Sequence, residues 1–248
     1  MRMIIASLLI LNSLCAFAQD NDVEASIKAA MAADIRTEAD VARDRNRKAP
    51  ETLAFFQLKD DMRVMELLPG GGWYTKILAP VLRENGEFYV AIGINNVRMN
   101  LQPQSGFDHI EMLEIGVELE RTGPFGTRDV APFDFDVRDL DLVVTFRNMH
   151  NFTPEGRTNI NAAVFESLAS GGLYGVIDHT KRHMEPLTNE NRRRTDALDI
   201  ILEVQAAGFE LVDYSDLHYR PDDELRFEVG RRTVTGNTDR YTLLFRKP

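Results

Sequence analysis

Arg63-Val-Met-Glu-Leu-Leu-Pro-Gly-Gly-Gly-Trp-Tyr-Thr-Lys-Ile-Leu-Ala-Pro80 decides how the rest of this chain is read. The run from Val64 to Leu68 is apolar except for one acid, Glu66, and three glycines follow at once, Gly70, Gly71 and Gly72. Behind them Ile77, Leu78, Val81 and Leu82 recur as one face of a helix. The pattern predicts a strand, a tight glycine turn and a helix. Glycine accepts positive φ and lets a ligand approach where a Cβ would stand. A helix N-terminus behind it presents unpaired N–H groups. In an open α/β sheet such a turn opens on the crevice at the carboxyl ends of the strands, where ligands bind. The stretch lacks the G-x-x-x-x-G-K-[ST] pattern of a phosphate-binding loop, and a plain flexible Pro-Gly loop is the bland alternative.

Outward from this stretch the chain alternates. Gly86 to Gly93 reads as a second strand, and Asp139 to Phe146 as a third β-rich run behind an acid. Arg147-Asn148-Met149-His150-Asn151 follows directly, so its polar groups fall at the crevice end of a strand. Their bland role is to cap the turn and the next helix. Thr153-Pro154-Glu155 opens that helix, which runs to about Ala169 before Gly171-Gly172. Leu173 to Ile177 is a strand closed by Asp178-His179. Asn189 to Ala207 reads as a helix, and Phe209 to Tyr214 and Tyr241 to Phe245 as two last strands. Between 97 and 137 the spacing predicts a helix over Asp108 to Ile115 and a strand over Val117 to Arg121. Strands alternating with helices from 62 onward argue an α/β fold, a parallel-rich sheet with helices on both faces. His150 and Asp178 then end two strands on one sheet edge, and a histidine there can accept a proton near neutral pH. His179 and His183 are four apart, but no third ligand accompanies them, so no metal is expected.

Composition sets outer bounds. The chain has 248 residues, 44% hydrophobic and 27% charged, which suits one ordinary α/β domain with a substantial core. The formal net charge of −10 argues against a nucleic-acid backbone as the main partner. Arg192-Arg193-Arg194 reads as a solvated face, with guidance of an anionic substrate as the alternative. Arg2, the apolar run Ile4 to Leu14 and Ala16-Phe17-Ala18 read as a signal peptide over 1–18. Its apolar run is too short for a comfortable membrane span, so no stable insertion is expected after cleavage. Cleavage also removes the only cysteine, Cys15. The expected location is periplasmic or secreted.

The stretch 63–80 resembles motif I of the class I S-adenosylmethionine-dependent methyltransferases. Glu66 matches the acid that ends the first strand, Gly70 and Gly72 match the later glycines, and Leu68 stands where the first glycine usually is. The form Glu66-Leu-Leu-Pro-Gly-Gly-Gly-Trp-Tyr-Thr75 is similar to a subgroup of exported bacterial methyltransferases. Similar segments recur at Arg43 to Phe56, at Arg147 to Asn151, at Asp178-His179 and at the ending Thr238 to Pro248, so the resemblance covers about 36–248. It implies a Rossmann-like methyltransferase fold with a mostly parallel sheet and an antiparallel last strand. It implies S-adenosyl-L-methionine as cofactor, held by Glu66, Gly70, Gly71, Gly72, Asn95 and Asn148, and a small-molecule acceptor bordered by His150 and Asp178. Asn95 stands in for an acid: the family carries a carboxylate after its second strand where this chain has Gly93-Ile94-Asn95-Asn96. Asp129 or Asp134 is expected near the cofactor's base. The implied organisation is a helical segment over 19–52, whose charged part could cover the ligand site, and a catalytic domain over 53–248. Two alternatives stay open. One is a non-catalytic ligand-binding protein on this fold, and the other an envelope interaction protein that uses the charged N-terminal helix.

Overall fold

The computed structural model describes residues 22–248, so the expected signal peptide lies outside the described residues. A seven-stranded sheet runs through the molecule. Its strands are β1 (Arg63–Leu67), β2 (Glu87–Ala91), β3 (Glu111–Leu113), β6 (Leu140–Phe146), β7 (Leu168–His179), β8 (Glu210–Ser215) and β9 (Arg240–Arg246). Their order is β3-β2-β1-β6-β7-β9-β8. The ladders from β3 to β7 are parallel. β9 runs antiparallel between β7 and β8. This is the Rossmann-like arrangement that the resemblance implies. A separate short pair, β4 (Leu119–Glu120) with β5 (Asp129–Val130), is antiparallel.

Parity along the strands assigns the two faces. Val64, Val90, Leu142, Val144, Leu173 and Ile177 belong to one buried cluster. It also holds residues of α1 (residues 22–31), α4 (Ala49–Phe55) and α5 (Thr75–Leu82). Met65, Ala91, Val143, Tyr174 and Val176, one position along, belong to a second cluster with α7 (Pro154–Ser167) and α8 (Ala197–Ala206). Both faces of each central strand are therefore apolar, which is why these strands read as continuous hydrophobic runs. The α5 face is the one toward which Glu66 and His179 project. Glu66 shares the parity of Val64, and His179 that of Ile177.

Three local expectations fail, each for a nameable reason. Residues 108–115 are not a helix: Glu111–Leu113 is β3, parallel to β2. A short apolar run carries no period that separates the two choices, and an open edge on β2 selects strand. The helix expected from Asn189 starts only at Ala197, capped by Asp196, whose carboxylate accepts from Leu198 N. The stretch before it, 189–196, is loop held by buried side-chain bonds. The N-terminal helix breaks after 31, and α2 (Glu38–Val41) and α3 (Asp44–Arg47) are single turns. Conversely α6 (Asn95–Asn100) has no clear signal in the sequence, since asparagine is a poor helix former.

Candidate functional site

The glycine turn does what its sequence requires. After β1 the backbone goes to φ 51° at Leu68, 57° at Gly70 and 76° at Gly72. A Cβ on Gly72 would run into the Leu101 side chain, so that position needs glycine for space as well as for conformation. A Cβ on Gly70 would meet nothing within 4 Å. Gly70 is thus the open lip of the turn and Gly72 its packed hinge. Asn148 Nδ2 ties the turn to the next strand by donating to the carbonyls of Leu67 at 3.3 Å and Leu68 at 3.2 Å. Its Oδ1 makes no hydrogen bond among the described residues.

A cavity of about 190 Å³ sits under this turn, lined among others by Glu66, Gly70, Gly71, Tyr74 and Asn148. Glu66 is 3% exposed and accepts from Thr75 Oγ1 at 2.6 Å. Burial pushes its carboxyl up to about 7, against the opposing pull of the Thr75 bond and the Arg47 charge. The N-terminal segment forms one wall of the cavity. Trp73 Nε1 donates to the Asp40 carbonyl at 2.9 Å, Tyr74 Oη donates to the Arg47 carbonyl at 3.1 Å, and Lys76 Nζ lies 2.7 Å from Asp40 Oδ2. The guanidinium of Arg47 stands 4.5 Å from the Trp73 ring centre, a cation–π contact. Asp40, Arg43 and Arg47 join the cavity wall in this way.

The structure separates the remaining expected residues. Asn95 is exposed at the start of α6 and does not line this cavity. Its neighbour Asn96 is the asparagine beside the turn, its amide 3.8 Å from where a Gly71 Cβ would stand. Asp129 and Asp134 stay away too: Asp129 accepts from Thr153 and Thr122, and Asp134 pairs with Arg138. His150 and Asp178 do meet. Asp178, wholly buried, accepts from His150 Nδ1 at 2.6 Å, from His150 N at 2.8 Å and from His179 N at 2.7 Å. That leaves Nε2 as the basic nitrogen of His150. However, Asp178 has the parity of Val176 and points to the α7 face, where His150 lines a separate cavity of about 200 Å³ with Arg157 and Asp196.

His179, one residue on, points to the face that carries the glycine turn. Its Nδ1 bonds Thr238 Oγ1 at 2.9 Å, and its ring centre is 5.5 Å from that of His150. It lines a cavity of about 370 Å³ that shares Arg43, Arg47 and Arg147 with the glycine cavity. Burial first, then the charges of His150 and nearby arginines, hold its imidazole well below the ordinary value, so it is neutral at pH 7. Strand alternation is the sequence signal that could have picked it out. The arginine triplet divides: Arg194 is buried against Asp223, Arg193 pairs with Glu228 at the rim, and Arg192 has no partner among the described residues. His183 Nδ1 pairs with Asp196 Oδ2 at 2.8 Å.

No protein-family model matches the chain, and no curated protein matches its sequence. Solved structures do match its fold. A structure of a SAM-dependent methyltransferase from Aquifex aeolicus is 15% identical, covers 84% of this chain and 93% of its own, and has a TM-score of 0.57. The cyclase SpnF is 14% identical, with 82% and 80% covered and a TM-score of 0.55. The PH0226 protein from Pyrococcus horikoshii is 12% identical, with 87% and 94% covered and a TM-score of 0.54. At these identities the likeness is one of fold: the chain has the Rossmann-like methyltransferase fold.

Proposed function

We propose that the protein is an S-adenosylmethionine-dependent methyltransferase acting on a small-molecule acceptor. The observation that carries this is the cavity under the glycine turn, with a buried carboxylate at the end of β1, an open Gly70 lip and one wall from the N-terminal segment. The residues fit such a cofactor. Glu66 offers a carboxylate to hydroxyl or ammonium donors, and Gly70 and Gly71 let backbone approach. Asn148 offers an acceptor, and Asn96 takes the place beside the turn first expected of Asn95. When bound, S-adenosylmethionine supplies an electrophilic methyl group. The chain itself has to align the acceptor, exclude water and take up a proton. Trp73, Tyr74 and the segment from Arg36 to Arg47 exclude water. In the tautomer whose Nδ1–H donates to Thr238 Oγ1, the neutral His179 takes the proton of the acceptor's nucleophile on Nε2 at the adjoining cavity, while Asp178 and His150 fix the strand end behind it. Arg2, the apolar run to Leu14 and Ala16-Phe17-Ala18 support export of this activity.

Glu66 gives a test with a sign. Its pKa is raised on folding, so between about pH 4.5 and 7 the folded chain holds a proton that the unfolded chain has lost. Stability from this group is full below that window and is lost as pH rises to 7, a difference of about 3 kcal/mol. A cofactor that donates hydrogen bonds to Glu66 prefers the ionised form. Affinity for S-adenosylmethionine is therefore expected to rise about tenfold per pH unit from pH 5 to 7 and then level off. Calorimetry across that range checks it. Glu66→Gln should bind more weakly and lose the slope; an unchanged slope in that variant would remove Glu66 from the cofactor site.

A further inference from the structure

The cavity behind His179 has an unusual charge balance for a protein with ten net negative charges. Its wall carries Arg43, Arg47, Arg147, Arg193 and Arg240 and no carboxylate. Among the described residues only Arg193 of these five has an ion-pair partner, Glu228. Arg240 is 6% exposed and makes one side-chain hydrogen bond, Nη1 to the Asn46 carbonyl at 2.8 Å. Arg147 makes none with its side chain among the described residues. The Nε atoms of Arg47, Arg147 and Arg240 are all buried without a partner. Burying a guanidinium without a compensating acceptor costs several kcal/mol. Arg47 and Arg147 are half-buried and Arg240 is buried, and although Arg240 Nη1 reaches the Asn46 carbonyl and Arg47 lies against Trp73, three buried Nε–H donors around one cavity lack an acceptor within the described residues.

We propose that this cavity is the acceptor subsite and that it selects an acceptor bearing an oxyanion, a carboxylate or phosphate, gripped by Arg147 and Arg240 beside His179. The planar guanidinium fork suits both oxyanions, and charge-assisted bonds of this kind are the strong ones. Burial first, and then the neighbouring Arg147 charge, push Arg47 down to about 9 and Arg240 down to about 10. An anion would relieve both. The position also fits, since Arg43, Arg47 and Arg147 line this cavity and the glycine cavity alike. The acceptor assignment rests on the methyltransferase reading; the anion site does not.

The test titrates the full mature chain at low ionic strength with inorganic phosphate, with benzoate and, separately, with S-adenosylmethionine. One of the two anions is expected to bind with a Kd below about 1 mM. Phosphate binding tighter than benzoate assigns a phosphate ester, and the reverse assigns a carboxylate. Arg147→Gln, whose side chain is bonded to nothing in the described fold, and Arg240→Gln are each expected to weaken that anion about tenfold or more. Arg240→Gln should leave the affinity for S-adenosylmethionine within about threefold. Binding of S-adenosylmethionine with neither anion bound at about 20 mM overturns the oxyanion site alone. Anion binding that both variants abolish, in a protein that does not bind S-adenosylmethionine, overturns the acceptor role and the methyltransferase reading together. Anion binding that neither variant weakens overturns the site as drawn.

Discussion

His179→Ala is expected to lower turnover about 10²–10⁴-fold, the usual loss when a positioned proton acceptor is removed. The group is prepared for that task. With Nδ1–H donating to Thr238 Oγ1, Nε2 is the accepting nitrogen; burial and the surrounding arginines keep the ring neutral but weaken it as a base, and an anionic acceptor bound beside it offsets part of that cost. The truncated side chain opens onto an existing cavity, so the fold should survive. Affinity for S-adenosylmethionine should stay within about threefold, because His179 lies outside the wall of the glycine cavity. His150→Ala makes the contrast. It removes the side-chain bond to the buried Asp178, which costs about 1.5–3 kcal/mol of stability. Turnover should then fall far less than in His179→Ala. Steady-state kinetics with an oxyanion-bearing acceptor, beside urea unfolding, checks both. If the kinetic loss follows His150 instead, the base sits on the α7 face and the chemistry belongs to the smaller cavity there.

Arg194→Met is expected to cost about 3–5 kcal/mol, as when one partner of a buried ion pair is removed. Arg194 and Asp223 are almost completely buried and joined twice, Nη1 to Oδ2 at 2.9 Å and Nη2 to Oδ1 at 3.0 Å. Asp223 also accepts from the backbone N–H of Asp239 at 2.7 Å and of Leu225 at 3.0 Å. Arg194 further donates to the carbonyls of Thr180 and Phe227. The pair therefore holds the long connection between β8 and β9 against the end of β7. Methionine matches the volume and strands the carboxylate. A loss in urea unfolding below about 1 kcal/mol would mean that water reaches Asp223 and that this connection is not anchored there.

The fold was legible because its signals are local. Val64 to Phe88 contains strand, turn, helix and strand in one continuous pattern, and the second and third strand runs repeat the apolar signature of strands buried on both faces. The glycine turn was legible for the same reason: Glu66 and three glycines are adjacent, and their spacing alone implies the geometry. The acceptor cavity was not legible. Arg43, Arg147, Arg193 and Arg240 come from four distant segments, and only the folding of the connection around Thr238 brings them together. Arg194 looked like a surface charge beside Arg192 and Arg193, and nothing in the triplet says which one turns inward. His150 drew attention because it follows a strand end among asparagines. The choice between it and His179 depends on which sheet face carries the cavity, and that is fixed by the chain segment from Arg36 to Arg47 docking on Trp73 and Tyr74.

The central claim is that the cavity under the glycine turn takes S-adenosylmethionine, and calorimetric titration of the mature protein tests it most directly. One site per chain with a Kd in the micromolar range is expected. Gly70→Leu serves as the control. Its side chain projects from the open lip, where the structure offers at least 4 Å of free space, and the positive φ costs only about 1–2 kcal/mol of stability. That variant should remain folded and lose binding by about a hundredfold or more. Wild-type protein that gives no binding heat at about 1 mM S-adenosylmethionine, or a Gly70→Leu variant that binds as tightly as wild type, would contradict the account.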